Sequence, residues 1–496
     1  MTTGSAVHDL KTLILSFHPV IAIETVEEDR AANLVKQVAA ELNMPVFDWT
    51  ITEGLIKLPG TQSMHGTSEP LGVVRHIEDL TLKAVFHLKD FAQHLDNATV
   101  ARKFREVAQS FSRKLSTIVL TSTKFDLPDD IAHKVVHFEM QLPDAAEIEK
   151  GIRPVIESLV ASRETDFELS DDDFKRLVTA LSGMTVNQAR QIIAYAALHD
   201  GKLGPDDVAR VIERKAQVIR DGGLLEYFPA QDNRYELGGF ANLKRWLARS
   251  RVGFSPEAAA LNLRPPRGIL IVGVQGCGKS LAAKTIAREW QLPLLKLDAG
   301  RLFDKYIGES EKNFRKAIAM AESMAPAVLW IDELEKAMSG GTGESRDGGV
   351  GRRLFGAFLT WLQEKTHPVF VVATANDLFN MPPELLRKGR FDEIFFVDLP
   401  TDAERRAIFR IHLELRKQSP DDFDIDRLCT ASDGFSGAEI EQAVIASLYR
   451  ALYQKQPLDT ELILEELEET VPLSVSRHED IARLRETARG RFVNVN

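Results

Sequence analysis

The sequence predicts an α/β protein: parallel sheets with helices on both faces, built as two tandem copies of one architecture, each followed by a small helical lid. Three observations predict it. Buried-strand patterns alternate with amphipathic helical ones along most of the 496 residues. One of those strands runs into a glycine-rich loop that opens a helix. Segments of the first half also reappear, in the same order, in the second.

In the first half, Val20-Ile21-Ala22-Ile23 reads as a buried strand and residues 30–42 as a helix with apolar positions three and four apart. Pro45-Val46-Phe47-Asp48-Trp49, Ala84-Val85-Phe86-His87-Leu88 and Thr117-Ile118-Val119-Leu120 read as further strands. The run Ala84 to Asp90 echoes Ala327-Val328-Leu329-Trp330-Ile331-Asp332-Glu333. Thr121-Ser122-Thr123-Lys124 precedes Leu142-Pro143 as Ala373-Thr374-Ala375-Asn376 precedes Leu399-Pro400. Ser182-Gly183-Met184-Thr185 echoes Gly434-Phe435-Ser436-Gly437, and Glu41-Leu42-Asn43-Met44-Pro45 sits like Glu289-Trp290-Gln291-Leu292-Pro293. Four echoes in one order favour duplication. The expected domains are an α/β domain over 1–140, its lid over 141–205, a linker over 206–235, a second α/β domain over 236–400, and a lid with tail over 401–496. Residues 206–220 read as a helix within that linker, and the glycine-rich stretch 339–351 as a mobile loop.

The second copy carries the chemistry. Gly273-Val274-Gln275-Gly276-Cys277-Gly278-Lys279-Ser280 follows the strand Gly268 to Val272 and opens a helix over 281–289. Glycines let the backbone curl until successive N–H groups and the helix N-terminus face one anion. Lys279 can then reach β and γ phosphates, and Ser280 can ligate magnesium. Val328-Leu329-Trp330-Ile331 ends in Asp332 and Glu333. Beside a phosphate loop, Asp332 can hold Mg2+ through water and Glu333 can polarise an attacking water. The strand over 369–373 delivers Asn376, whose neutral amide can orient that water. Cys277, at a helix N-terminus, reads as a redox-active thiol or, better, as a small filler.

The first copy has lost these groups. Glu24, Glu27, Glu28 and Asp29 stand where a phosphate loop belongs, and Lys89 where the magnesium-binding Asp belongs. Carboxylates there repel a triphosphate. This half is expected to bind no nucleotide.

Composition narrows the rest. A net charge of −11 argues against a general nucleic-acid binder. Two cysteines make no disulfide framework, no apolar run approaches membrane-spanning length, and no signal-peptide pattern opens the chain. A soluble protein of a reducing compartment is expected, with no membrane insertion.

The run from Glu236 to about Val475 resembles the AAA+ ATPases, in their AAA subgroup. Tyr235-Glu236-Leu237-Gly238-Gly239 resembles the family's Asp-Ile-Gly-Gly motif, with Glu in place of Asp. Residues 376–390 resemble its second region of homology, and Gly434-Phe435-Ser436-Gly437-Ala438-Glu439-Ile440 its lid motif. With a degenerate copy first, the whole chain is similar to the conserved hypothetical AAA proteins of algal plastids and cyanobacteria. The resemblance implies ATP and Mg2+ as ligands and ATP hydrolysis as the reaction. It implies a homo-oligomeric ring, usually a hexamer, in which Arg387 and Arg390 reach a neighbour's ATP. Gly238, Leu281, Ile408, His412, Gly437 and Ala438 would lie against the nucleotide. Lys305-Tyr306-Ile307-Gly308 stands at the position of the family's first pore loop. Ala438, where other AAA+ branches carry a sensing arginine, fits the AAA subgroup. Two functions stay open: a motor that remodels a protein partner through a central pore, and a nucleotide-dependent switch or scaffold that threads nothing. A protease-fused role is disfavoured, because His478-Glu479-Asp480 lacks the second His of His-Glu-x-x-His. The tail Arg491 to Asn496 also lacks the hydrophobic-Tyr ending of proteasomal ATPases. The location implied is cytoplasm, or stroma if the protein is plastid-encoded.

Overall fold

Continuous apolar runs become buried parallel strands because period-two alternation gives each one two apolar faces. The computed structural model describes residues 3–111, 116–162, 166–221, 223–228, 238–297, 309–335, 348–378, 381–387 and 389–496. These divide into two units, Met1–Val208 and Ala209–Asn496.

The first unit holds β1 (Val20–Glu24), β2 (Val46–Thr50), β3 (Gly54–Lys57), β4 (Val85–Lys89), β5 (Thr117–Ser122) and β6 (Val135–His137) in the order β3-β2-β4-β5-β1-β6. Only β3 is antiparallel to its neighbour. Phe47, Trp49, Phe86, Leu88, Ile118 and Leu120 face one core, and Val46, Val85, Val119, Ile21 and Ile23 the other. Helix Glu28–Glu41 covers the second face with Leu34, Val35 and Val38. A helical part follows, in which helix Ala145–Ala161 packs on helix Val186–Asp200, with a small parallel pair β7 (Asp166–Phe167) and β8 (Lys202–Leu203).

The second unit holds β9 (Leu225–Phe228), β10 (Gly268–Gly273), β11 (Leu294–Leu297), β12 (Ala327–Ile331), β13 (Val369–Ala375), β14 (Glu393–Val397) and β15 (Val493–Asn494) in the order β15-β14-β10-β13-β12-β11-β9. Again one edge strand, β9, is antiparallel. Ile269, Ile271, Val328, Trp330, Phe370, Val372 and Phe395 meet helix Lys279–Trp290 through Ala283, Ile286 and Trp290, and helix Ala241–Ser250 through Leu243 and Leu247. Leu270, Val272, Leu329 and Val371, at the alternate positions, are also buried. Helices Asp402–Leu415, Ile425–Ala431, Gly437–Gln454 and Thr460–Glu469 close around Phe409, Leu413, Leu428, Phe435, Ile440 and Ile463.

The five parallel strands common to both sheets take one order. Counted along the chain they lie 2-3-4-1-5, as β2-β4-β5-β1-β6 in one unit and β11-β12-β13-β10-β14 in the other. In each, the first strand lies inside the sheet, between the fourth and the fifth, and its carboxyl end opens at the point where the order changes direction, which is where open α/β sheets bind ligands.

The expected strands and helices form, with ends displaced by one or two residues. The interval 206–235 contains more than a linker: helix Asp207–Asp221 is followed by β9, which adds to the second sheet. Its residues 229–237 lie outside the described ones, as does the start of the motif at Tyr235, Glu236 and Leu237. Of the loop expected over 339–351, residues 348–351 instead begin helix Gly348–Glu364, and the part before 348 is not described. The tail does not end with the lid, because β15 returns to pair with β14. Among the described residues no helix is long and apolar enough to cross a membrane.

Candidate nucleotide site

The loop 274–278 leaves the interior strand β10 and turns into helix 279–290. Glycine is required where the backbone leaves no room. A Cβ on Gly273 (φ +151) would meet the Val397 carbonyl oxygen at 1.9 Å, and one on Gly276 (φ +76) would meet Ser436 Oγ at 2.9 Å. The Gly276 carbonyl accepts the Ala438 N–H at 3.0 Å, which joins the loop to the lid helix 437–454. Val274 and Cys277 are buried, while Gln275 is exposed. Burial pushes the Cys277 thiol up to about 12, against the opposing pull of Lys279 and the Gly437 backbone, which supports the small-filler reading over the redox-active one.

Lys279 is 6% exposed and folds back on the loop, donating to the Gly273 carbonyl at 2.9 Å and the Val274 carbonyl at 2.7 Å. Burial brings its pKa down to about 8, against the opposing pull of Cys277, Glu335, Asp332 and Glu333.

The carboxyl ends of β12 and β13 meet the loop. Asp332 Oδ1 accepts from Ser280 Oγ at 3.1 Å and from Thr374 Oγ1 at 2.5 Å, and Asp332 Oδ2 lies 3.7 Å from Lys296 Nζ. Thr374 Oγ1 also accepts the Glu333 N–H at 3.1 Å. Glu333 sits in the left-handed region (φ 50), a strained position for a non-glycine residue, and Asn376 Nδ2 donates to its Oε1 at 3.2 Å. The Asn376 N–H donates to Glu335 Oε1 at 3.0 Å, and burial holds the Glu335 pKa above the usual carboxylate range. Ser280, Asp332, Glu333 and Asn376 are therefore brought together as expected.

Mg2+ keeps several waters and takes one or two protein oxygens beside phosphate. Ser280, which is exposed, and Asp332 supply that donor set. Among the described residues there is no cluster of three His, Cys, Asp or Glu that could hold a metal ion.

The loop opens into a cleft of about 350 Å³. Gly238, Gly276, Gly278, Ser280, Leu281, Ile408, His412, Gly437 and Ala438, all expected at the nucleotide, line it. Burial lowers the His412 pKa, and Arg416 adds to that effect while Glu441 opposes it, so a neutral imidazole faces the cleft. Arg387 and Arg390 are not among the lining residues. Arg387 is exposed, and Arg390 Nη1 is buried with no hydrogen-bond partner among the described residues. Lys305, Tyr306, Ile307 and Gly308 lie outside the described residues.

Sequence reasoning missed Thr374, Glu335, Lys296, Phe240, Glu404, Val495 and Asn496. Thr374 had a signal, being a lone hydroxyl in the apolar strand Val-Phe-Val-Val-Ala-Thr-Ala. Glu404 had one too, in the Thr-x-x-Glu capping box that opens helix 402–415.

A glycine-rich loop and buried lysine at the carboxyl end of the interior strand β10, a hydroxyl–carboxylate pair beside them and a cleft bounded by lid helices define a nucleotide-binding P-loop protein. The chain belongs to the AAA ATPase family. Residues 269–399 match the ATPase family associated with various cellular activities, while 6–140 and 146–222 match the N-terminal and second domains of SpoVK-like AAA ATPases. Similar proteins include the "Uncharacterized AAA domain-containing protein ycf46" of Trieres chinensis, 36% identical over 97% of this chain and 96% of the relative. The ycf46 protein of Guillardia theta is 37% identical over 98% and 95%. The cell division cycle protein 48 homolog of Archaeoglobus fulgidus is 34% identical over 42% of this chain and 28% of its own length.

A bound polyphosphate raises the lowered Lys279 pKa, so binding takes up a proton once the free lysine begins to lose its own. Nucleotide affinity should be level below about pH 8 and fall above it, by at most about tenfold per pH unit. Calorimetry near pH 9 in two buffers of different ionisation enthalpy checks this, and zero proton uptake there would contradict it.

Proposed function

We propose that the second unit is a Mg2+-dependent ATPase whose chain assembles as a ring, usually six-membered in this family, and works on a protein partner. The observation that carries the reading is the convergence of Ser280, Asp332, Glu333 and Asn376 beside the Lys279 loop. Ser280 and Asp332 would hold Mg2+ that comes with ATP, and the ion would supply charge neutralisation at the phosphates. Lys279 leaves its two loop carbonyls for the β and γ phosphates. Glu333, held by Asn376, accepts a proton from the attacking water. Asn376 orients the Glu333 carboxylate and, through its backbone N–H, ties Glu335 to the same strand end.

Arg387, which is exposed, and Arg390 stand where the family resemblance puts residues that reach a neighbour's site. A guanidinium in that position is worth about 10³–10⁵ in rate. Arg390→Ala should bind ATP normally yet lose at least about 10³ of turnover. Mixing it with a Glu333→Gln chain should recover activity, because each lacks a different part of a shared site. Full turnover by Arg390→Ala alone would refute the shared site.

We read the first unit as a degenerate copy that carries no nucleotide, a scaffold or a receiver of the partner. The shared strand order supports the duplication, and reversed charge supports the loss. Glu28 opens the helix where Lys279 does, and Lys89 ends β4 where Asp332 follows β12. Lys89 Nζ lies 3.1 Å from Glu28 and 3.2 Å from Asp48. Burial alone would lower the Lys89 pKa, but these carboxylates hold it above the usual lysine value. Glu27 accepts the Val186 N–H at 2.8 Å, and Arg30 bridges Glu27 and Glu147 at 3.1 and 2.9 Å. These mutual ion pairs support a first unit with no free cation, among the described residues, for a phosphate at that end of its sheet. Titration of the full chain should give one nucleotide per chain, and Lys279→Ala should leave none; a second equivalent that survives Lys279→Ala would refute the reading.

Whether a polypeptide is threaded turns on Tyr306. Tyr306→Ala should leave ATP turnover largely intact while abolishing work on the partners that a Glu333→Gln chain captures. Unimpaired work on those partners would favour the nucleotide-dependent switch or scaffold instead.

A further inference from the structure

Helix 241–250 has a cap that its own neighbourhood cannot supply. It begins at Phe240, a left-handed residue (φ 60) whose side chain makes no cap hydrogen bond. Four N–H groups at a helix start have no partner within the helix. Here they belong to Phe240, Ala241, Asn242 and Leu243, since Lys244 makes the first internal bond, to the Phe240 carbonyl at 2.9 Å. Two consecutive tail residues serve all four. Asn496 Oδ1 accepts from Phe240 at 2.6 Å and from Ala241 at 3.3 Å. The Val495 carbonyl accepts from Asn242 at 2.8 Å and from Leu243 at 3.4 Å.

The same two residues grip two more elements. The Val495 N–H donates to the Phe396 carbonyl of β14 at 3.1 Å, and its side chain is 1% exposed within the core of the sheet. Asn496 Nδ2 donates to Glu404 Oε1. The other oxygen of Glu404 accepts from the Thr401 N–H and hydroxyl, both at 2.8 Å, closing the capping box of the lid's first helix. The amide can face only this way, because its oxygen meets two N–H donors and its nitrogen a carboxylate. Phe240, Glu404, Val495 and Asn496 line the same cleft as Ile408 and His412, and Glu404 stands on the helix that carries both.

We propose that Val495 and Asn496 are positioning residues for the base end of the nucleotide site. They lock the start of helix 241–250 to β14 and to the lid, so that the segment Gly238–Phe240 stands at a fixed distance from Ile408. The proposal rests on the nucleotide-binding reading of the cleft. It predicts that affinity for adenine nucleotides depends on a side chain lying 256 positions from the helix it caps.

The test uses the full chain and a fluorescent ADP analogue, with amide hydrogen exchange read at residues 240–243. Asn496→Ala should weaken binding about 3- to 30-fold, the scale of a lost helix cap, and speed exchange at those four amides. Asn496→Asp keeps a cap acceptor but sets a second carboxylate against Glu404, so it should weaken binding too. Adding Glu404→Gln turns that contact round: the glutamine amide donates to Asp, and its oxygen still accepts from Thr401. The double variant should return to within about threefold of wild type, a coupling expected only of residues in contact. Wild-type affinity in Asn496→Ala, unchanged exchange, or failure of Glu404→Gln to recover Asn496→Asp would each overturn the proposal alone. A wild-type chain that binds no nucleotide would overturn the reading of the cleft, and this inference with it.

Discussion

One carboxylate organises the site. Asp332 Oδ1 accepts hydroxyl hydrogen bonds from Ser280, on the helix after β10, and from Thr374, at the end of β13. Since β13 lies between β10 and β12, that oxygen ties together the ends of three adjacent strands. The Thr374 hydroxyl also receives the Glu333 N–H, which fixes the left-handed turn that aims Glu333 at Asn376. Charge-assisted bonds of this kind are about twice as strong as neutral ones. They are aimed at one end of the sheet, where helix 279–290 also presents its N-terminus.

Comparison of the two units separates scaffold from chemistry. The parallel strands have one spatial order, and both carry an antiparallel strand on the same edge, β3 beside β2 and β9 beside β11. Apolar alternation builds such a sheet whatever stands at its mouth. Reversing the charges there leaves the fold intact and changes what it can hold. In the second unit that end carries Lys279 beside a paired hydroxyl and carboxylate, and in the first it carries glutamates paired with Lys89 and Arg30. Buried charge tolerates either arrangement, provided each group has a partner.

The lid is tied to the sheet at two places on either side of the cleft. Ala438 bonds the Gly276 carbonyl within the phosphate loop, and Glu404 bonds Asn496, which caps helix 241–250. A shift of the lid therefore reaches the phosphate end through one backbone hydrogen bond and the base end through one side chain. Gly239 belongs to the same joint, since a Cβ there would stand 2.2 Å from Glu404 Oε1.

The buried strands, the helices over 28–41 and 279–290, the phosphate loop and the Asp332–Glu333 pair were legible in the sequence. Each is a contiguous run whose pattern follows from local geometry: period two in a strand, period near 3.6 in a helix, glycine where a side chain finds no room. The edge strands β3, β9 and β15, each two to four residues long, carried too little pattern to announce themselves. Thr374 as a partner of Asp332, the burial that raises the Cys277 pKa, and the capping of helix 241–250 by Asn496 were decided only in three dimensions. Those contacts join residues 42 and 256 positions apart. Hydrogen bonds and desolvation depend on which groups the folded chain brings together, and no local periodicity encodes that.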